Sequence, residues 1–266
     1  KNPFVTNGYV SPEYFCDREK ETLKIVSLLT NENNIALISP RRLGKTDLLR
    51  HCFGQPEIKE HYHTFIIDIY ATSSVRDFVN VFGKAVLDEL RQKGKSVWGT
   101  FLNVLASLRS EITFDMNGQP TWGIGLGAIT NPSATLDEIF SYLNNAGKPC
   151  LIAIDEFQQI TKYADDPNIE AALRTHIQRC SNAHFVFSGS HRHLMGAMFT
   201  SPARPFYQSV TLINLPPFPV DKYAEFCLKH FERVSKHWTQ LVVTELYERF
   251  NGITSYMQKV MNFYFH

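Results

Sequence analysis

Eight consecutive residues, 39–46, have the types and the spacing of a loop that binds phosphate. They read Ser-Pro-Arg-Arg-Leu-Gly-Lys-Thr and match the pattern G-x-x-x-x-G-K-[ST] at each defined position except the first, where Ser39 replaces glycine. In that pattern backbone N–H groups surround the phosphates, the lysine reaches the outer phosphates and the Ser or Thr hydroxyl binds Mg²⁺. These residues predict a phosphate site with Lys45 on the phosphates and Thr46 on the metal ion.

The segments on either side of this loop strengthen the prediction, since Gly-Lys-Thr alone is common by chance. An apolar run at 35–38 precedes the loop and a helix-like run at 47–53 follows it. A buried strand, a tight loop and a helix N-terminus direct backbone N–H groups at an anion. Arg41 and Arg42 inside the loop are either contacts of the bound phosphates or solvated charges, and their position does not decide between the two.

A second candidate group is the acid pair Asp155 and Glu156, which ends a continuous apolar run at 150–154. Ligands of an open parallel sheet bind at the carboxyl ends of its strands, so this pair and the phosphate loop can face one crevice. Phosphoryl transfer to water needs a metal ion, a positive charge on the phosphates and a carboxylate that orients or deprotonates the water. We therefore expect Asp155 to hold Mg²⁺ and Glu156 to act as the base. The alternative is that both acids only cap the following turn.

Two further side chains are candidates for the reaction. Ser188 ends an apolar run that begins at His184. Its hydroxyl would sense the γ-phosphate or position the attacking water. The alternative is that a small residue is present there only because the backbone turns. Arg204 lies between Pro202 and Pro205 in a predicted loop, 198–207, which favours an extended, presented conformation. An arginine offered to a neighbouring subunit can stabilise transition-state charge, and a solvated surface arginine is the other interpretation.

The elements that must position these residues alternate between strand and helix. Five apolar runs predict strands at 35–38, 64–69, 150–157, 184–190 and 209–213. Between them lie helical patterns at 75–93, from a capping box at Thr135 to about 145, and from Asp166-Pro167 to about 180. This alternation predicts a parallel sheet with helices on both faces. Two β-type runs around Asn117-Gly118 predict an inserted hairpin, at about 111–127.

The composition excludes several classes of protein. The chain has 266 residues, of which 44% are hydrophobic and 20% are charged, as in ordinary globular proteins. Its net charge of +1 does not indicate a general surface for binding polyanions. Its five cysteines are scattered and never form C-x-x-C, and His191 and His193 have no evident third ligand, which argues against a disulfide framework and a zinc site. The cysteine pattern favours a reducing, cytoplasmic setting. We expect no membrane partner, because no apolar run is long enough to span a membrane. The lack of an initial Met and of a stop signal after 255–266 predicts a piece of a longer protein.

The assembled motifs resemble the ATPase_2-type P-loop proteins of archaea and bacteria, which are part of the AAA+ and STAND assemblage. The resemblance rests on the segments 2–4, 15–21, 40–46, 152–158, 187–190 and 215–218. It implies an α/β P-loop NTPase core with a parallel five-stranded sheet in the order 5-1-4-3-2 over 1–215. A helical lid over 216–266 would follow the proline cluster, and in many relatives a winged helix comes next. Thr254 departs from the family pattern, since proline is usual there, and Ser39 restricts φ where glycine is usual.

The resemblance also implies a ligand set and a role. The ligands would be ATP or ADP with Mg²⁺, and the N-terminal box would lie near the adenine. The implied nucleotide contacts are Asp17, Arg18, Pro40, Arg41, Arg42, Leu43, Gly44, Lys45, Thr46 and Asp47. Three functions remain open: a Mg²⁺-dependent ATPase, a nucleotide-dependent switch or scaffold with little hydrolysis, and a DNA-associated initiator-like module. The implied partners are a second copy of the chain or a downstream effector domain.

Overall fold

The structure is a computed structural model that describes residues 2–6, 8–16, 18–91, 113–114, 120–121 and 131–265. The strands are β1 (Ile35–Ile38), β2 (His63–Asp68), β3 (Thr113–Phe114), β4 (Pro120–Thr121), β5 (Cys150–Asp155), β6 (Ala183–Gly189) and β7 (Thr211–Asn214). The helices are α1 (Glu19–Thr30), α2 (Lys45–Phe53), α3 (Pro56–His61), α4 (Val75–Arg91), α5 (Pro132–Asn144), α6 (Ile169–Arg179), α7 (Arg192–Thr200), α8 (Val220–Glu232), α9 (Gln240–Arg249) and α10 (Thr254–Phe265).

Five strands form one parallel sheet in the order β2-β5-β6-β1-β7. Read from the β7 edge, this is the fifth, first, fourth, third and second strand of the sheet, which confirms the expected order. Every residue of β1 and β5 is buried. Helices therefore cover both faces of these strands, as the continuous apolar runs require in a parallel sheet. The register pairs Ile38 with Gly189 and Asp68 with Asp155, so the carboxyl ends share one edge.

Three apolar clusters hold these layers together. One face of the sheet packs against α4, α5, α6 and α7 through side chains such as Phe78, Phe140 and Phe187. The opposite face packs against α1 and α2 through Leu29 and Leu49. A third cluster joins α8, α9 and α10, and Phe4 and Cys16 from the N-terminal segment are part of it. The N-terminal segment thus packs with α8, α9 and α10, and it lies near the carboxyl edge of the sheet.

Several helix boundaries differ from the sequence prediction. Helix α5 begins at Pro132, not at the capping box of Thr135, because the Asn131 side chain accepts a bond from the Ala134 N–H and Pro132 takes the first helical position. Helix α6 begins at Ile169, since Asp166 caps a turn at Asn168 and not the helix itself. Residues 198–200, predicted as loop, form the last turn of α7.

The predicted hairpin is present in the part of the insertion that the structure describes. Strands β3 and β4 pair antiparallel, with Thr113 opposite Thr121. The remainder of 111–127 lies outside the described residues. All five cysteines are among the described residues, and each is buried and outside any disulfide bond. Among the described helices, none combines the length and the apolar character needed to cross a membrane.

Candidate functional site

The phosphate loop joins β1 to α2 and turns through two left-handed residues. Arg42 has φ 67° and Gly44, which precedes the first residue of α2, has φ 80°. Ser39 is buried and does not take a positive φ, so its Cβ is accommodated at the position where glycine is usual. The Ser39 hydroxyl donates to the Pro40 carbonyl at 3.0 Å. The loop thus reaches the N-terminus of a nine-residue helix without strain at Ser39.

Lys45 is the buried cation of this loop, with 7% of its surface exposed. Its Nζ lies 3.5 Å from the Ser39 carbonyl oxygen. Within the described part of the chain, no carboxylate forms an ion pair with it. Burial lowers the pKa of Lys45, while the charges of Asp155 and Glu156 raise it by less. A desolvated ammonium without a paired anion is the group that a bound phosphate would satisfy.

Asp155, at the end of β5, is the buried acid of the pair. Its Oδ2 accepts a bond from the Thr46 hydroxyl at 2.5 Å, and its Oδ1 accepts from the Ser188 hydroxyl and from the Glu156 N–H at 3.0 Å. A hydroxyl and a carboxylate in contact are hard oxygen ligands of the type that Mg²⁺ binds together with substrate phosphates. Among the residues that the structure describes, no cluster of three or more His, Cys, Asp or Glu could hold a metal by itself. The donor set therefore fits Mg²⁺ shared with a nucleotide.

Glu156 follows directly and faces the cavity. It has φ 56°, a left-handed conformation that turns its side chain away from the line of β5. Its Oε2 accepts two bonds, from Gln158 Nε2 at 2.5 Å and from the Ser190 hydroxyl at 2.8 Å. The Ser190 oxygen accepts in turn from Arg41 Nε at 3.3 Å. The sequence predicted Glu156 but gave no role to Gln158, which follows the acid pair by two positions.

Ser188 and Arg204 occupy places that differ from their predicted ones. Ser188 is fully buried and its hydroxyl donates to Asp155, so it does not face the cavity where a γ-phosphate would lie. Arg204 lies in a turn and not in an extended segment, because its N–H donates to the Ser201 carbonyl at 3.0 Å. Its guanidinium pairs with Glu170 of the same chain. Arg204 does not line the cavity.

The cavity beside the phosphate loop has a volume of about 290 Å³. Its walls come from the phosphate loop, the acid pair, the N-terminal segment and the start of α10. On the N-terminal side, Phe15 stacks on His51 with ring centroids 4.4 Å apart, and the Tyr9 hydroxyl lies 3.1 Å from His51 Nδ1. The sequence offered no pattern for this aromatic wall, because Tyr9 lies in a Gly- and Pro-containing lead-in and His51 lies on another element.

The remaining predicted nucleotide contacts divide into three groups. Arg41, Arg42, Gly44, Lys45, Thr46 and Asp47 line the cavity, and burial raises the pKa of Asp47. Pro40 is exposed and Leu43 is buried, and neither lines it. Asp17 lies outside the described residues.

Arg18 lines the cavity, but its side chain has partners within the protein. Its guanidinium donates to Glu21 and to the Pro216 carbonyl, both at 2.8 Å, and lies 3.9 Å from the centre of the Phe218 ring. These contacts join the start of α1 to the proline cluster that precedes α8.

The start of helix α10 contacts the phosphate loop directly. The Arg42 guanidinium donates to the Tyr256 hydroxyl and lies 5.1 Å from the centre of that ring. The Ser255 N–H donates to the Arg42 carbonyl at 3.3 Å. Thr254, Ser255 and Gln258 complete this wall of the cavity. Helix α10 thus begins on the loop that would hold the phosphates.

Several solved structures share the fold of this chain. A Walker-type ATPase of Pyrococcus abyssi matches with 19% identity over 96% of this chain and 69% of its own, at a TM-score of 0.65. The Aeropyrum pernix ORC2 protein, solved in ADPNP–ADP complexes, matches with 15% identity over 87% of this chain and 55% of its own, at 0.57. A RuvB variant of Thermotoga maritima matches with 10% identity over 94% of this chain and 63% of its own, at 0.51.

The family itself is shown by the sequence. Residues 15–260 match the model of an ATPase domain that occurs predominantly in Archaea. The chain belongs to this family of ATP-binding ATPase domains, as the motifs at 40–46 and 152–158 predicted. A comparison with curated proteins gives no match.

Proposed function

We propose that this chain binds ATP together with Mg²⁺ and hydrolyses it to ADP and phosphate, with Glu156 as the base. The observation that carries the proposal is the buried Lys45 ammonium, which has no carboxylate ion-pair partner among the described residues and lies beside the Asp155–Glu156 wall of the cavity. The phosphates of a nucleotide would supply the missing anion.

Each side chain has a distinct part in the proposed reaction. Lys45 binds the outer phosphates, and the N–H groups at the start of α2 point at the same anion. Thr46 and Asp155 hold the magnesium ion, with Ser188 fixing the Asp155 carboxylate. Bound Mg²⁺ supplies neutralisation of charge on the β- and γ-phosphate oxygens. Glu156 accepts a proton from the attacking water.

The test is phosphate release by the purified chain, the Glu156→Gln variant and a control, Glu57→Gln, on the exposed face of α3. Glu156→Gln should lower kcat by about 10²- to 10⁴-fold, the usual contribution of a general base, and should leave the affinity for ATP unchanged. Glu57→Gln should match the unchanged chain, and EDTA should abolish release in both. Equal rates for Glu156→Gln and the unchanged chain would exclude Glu156 as the base.

The contact between the lid and the phosphate loop favours a second function, a nucleotide-dependent switch with little hydrolysis. Arg42 and Tyr256 join the two elements directly, so phosphate binding at the loop would bias the position of α10. Amide exchange over 252–265 should slow when ATP is added, and Tyr256→Phe should reduce this protection. Copurified ADP with negligible turnover would favour the switch over the enzyme.

Assembly and nucleic-acid binding have less support. An Arg204 contribution to a neighbouring copy would require its pair with Glu170 to open. A DNA-associated role has no favourable observation of this kind, because the net charge is +1.

A further inference from the structure

Gln158 is a buried polar residue whose side-chain amide donates a hydrogen bond to the proposed base. It lies in the 3₁₀-helix Phe157–Lys162 and is 3% exposed. Its Nε2 donates to Glu156 Oε2 at 2.5 Å. Its Oε1 has no hydrogen-bond partner among the described residues. Because a buried acceptor without a partner lowers stability, folding alone gives no reason for an amide at this position.

The neighbouring strand leaves room for this amide. A Cβ built on Gly189, in β6, would lie 2.6 Å from Met195 Sδ and closer still to Gln158 Oε1. Gly189 does not take a positive φ, so its backbone conformation does not demand glycine. The close approach of Gln158 and Met195 explains the absence of a side chain there. The packing at the end of β6 therefore accommodates the amide that contacts Glu156.

The two bonds to Glu156 end on the same oxygen. Gln158 and Ser190 both donate to Oε2, at 2.5 and 2.8 Å. A carboxylate held through one oxygen keeps its orientation, and its other oxygen, Oε1, is left to accept a bond from water in the cavity. Ser190 is only partly buried and its oxygen also accepts from Arg41, whereas Gln158 is held in the core. Gln158 is thus the rigid member of the pair.

We infer that Gln158 is a positioning residue for hydrolysis, which anchors Glu156 through Oε2 and leaves Oε1 directed at the attacking water. This inference rests on the proposed function. It predicts that Gln158 affects kcat while the affinity for nucleotide stays constant, because the amide contacts the base and not the phosphate loop.

The experiment compares Gln158→Met with Gln159→Met in the full chain. Methionine keeps the length of the side chain and removes the donor. Gln159 is the matched control, since its Nε2 donates to the Thr72 carbonyl at 2.9 Å, away from Glu156. Gln158→Met should lower kcat by about 10- to 100-fold, the scale expected when a catalytic group loses the residue that orients it. KM and the affinity for a non-hydrolysable ATP analogue should stay unchanged. Gln159→Met should keep the kcat of the unchanged chain.

A double variant separates positioning from a general loss of structure. If Gln158 acts through Glu156, then Glu156→Gln combined with Gln158→Met should hydrolyse ATP no more slowly than Glu156→Gln alone. Ser190→Ala, which removes the second donor without a large change of volume, should give a smaller loss of kcat in the same direction. Thermal unfolding and analogue binding of each variant report its folding.

Four outcomes would overturn the inference. An unchanged kcat in Gln158→Met would do so, as would losses that multiply in the double variant. A fall in analogue affinity that parallels the fall in kcat would show a structural role instead. Hydrolysis that does not depend on Glu156 in the unchanged chain would overturn the proposed function and this inference with it. Glu156-dependent hydrolysis that Gln158→Met leaves intact would overturn only the inference.

Discussion

Two buried cations line the same cavity, and their surroundings differ. Arg18 has 1% of its side chain exposed and contacts Glu21, the Pro216 carbonyl and the Phe218 ring. Lys45 is nearly as buried, yet its Nζ has one long contact, 3.5 Å, to the Ser39 carbonyl. Burial of a charge is tolerated where partners compensate the lost hydration. We therefore infer a structural role for Arg18 and propose that Lys45 binds the ligand.

The same contrast separates the two adjacent acids. Asp155 is buried and bonded to Thr46 and Ser188, which suits a metal ligand held in one orientation. Glu156 lines the cavity and is anchored through a single oxygen. The two adjacent acids both line the cavity but have different hydrogen-bond partners, and Glu156 takes a left-handed backbone conformation.

Replacing Lys45 should produce the largest effect on binding. Lys45→Met should weaken ATP binding about 100-fold, since charge-assisted bonds worth roughly 3 kcal/mol are lost. The free energy of unfolding should not fall, because the substitution removes an unpaired buried charge. Calorimetric titration and urea unfolding measure the two quantities. Lys20→Met, on the exposed side of α1, is the control, and ATP affinity retained in Lys45→Met would contradict the ligand assignment.

Replacing Arg18 should give the opposite result. Arg18→Met should lower the free energy of unfolding by about 2 kcal/mol, because Glu21 and the Pro216 carbonyl lose their donor. Its ATP affinity should change less than that of Lys45→Met. Arg233→Met is the control, since Arg233 forms an exposed pair with Glu13 that contributes about 0–1 kcal/mol. A large loss of ATP affinity at unchanged stability would instead make Arg18 a ligand contact.

A smaller effect is expected at the start of the phosphate loop. Ser39 has the ordinary backbone conformation of a non-glycine residue, so Ser39→Gly relieves no strain. The variant should lose about 0.5–1 kcal/mol of unfolding free energy through the greater freedom of the unfolded chain. ATP affinity, measured by the same titration, should stay unchanged. Tighter binding in Ser39→Gly would show that the serine Cβ constrains the loop.

The smallest effect should be a dependence of the free energy of unfolding on pH that arises from His230 in α8. Burial lowers the pKa of His230, and Arg233 and Lys229 lower it further, against an opposing effect of Glu13. As pH decreases, the His230 imidazole therefore takes up its proton at a higher pH in the unfolded chain than in the folded chain. The free energy of unfolding falls as pH decreases below about 6.5. His230→Gln should flatten this dependence in urea unfolding between pH 7.5 and pH 5.5, roughly one unit either side of the ordinary histidine pKa. His61→Gln, at an exposed position, should leave it unchanged.

The order of elements followed from local patterns alone. Apolar runs such as 35–38 and 150–155 are long and continuous enough to predict buried parallel strands, and the family motifs supply the strand order. The first residues of helices were less predictable than the strands. For α5, both Asn131-Pro132 and Thr135 are suitable N-terminal caps, and the tertiary packing determines which of them is used. The loop prediction at 198–200 failed for a related reason, since Met198 and Phe199 are buried in the core as a helical turn.

The candidate site divides in the same way. The sequence by itself determined the phosphate loop and the acid pair, because each is a contiguous run whose chemistry depends on spacing along one segment. Only the tertiary structure decided which neighbours each side chain meets. It placed Ser188 on Asp155, Gln158 on Glu156, Arg204 on Glu170 and Arg18 on Glu21. Ser188 and Asp155 are 33 positions apart in the sequence, and Arg204 and Glu170 are 34 positions apart. A local sequence pattern does not indicate which distant side chain will compensate a buried charge.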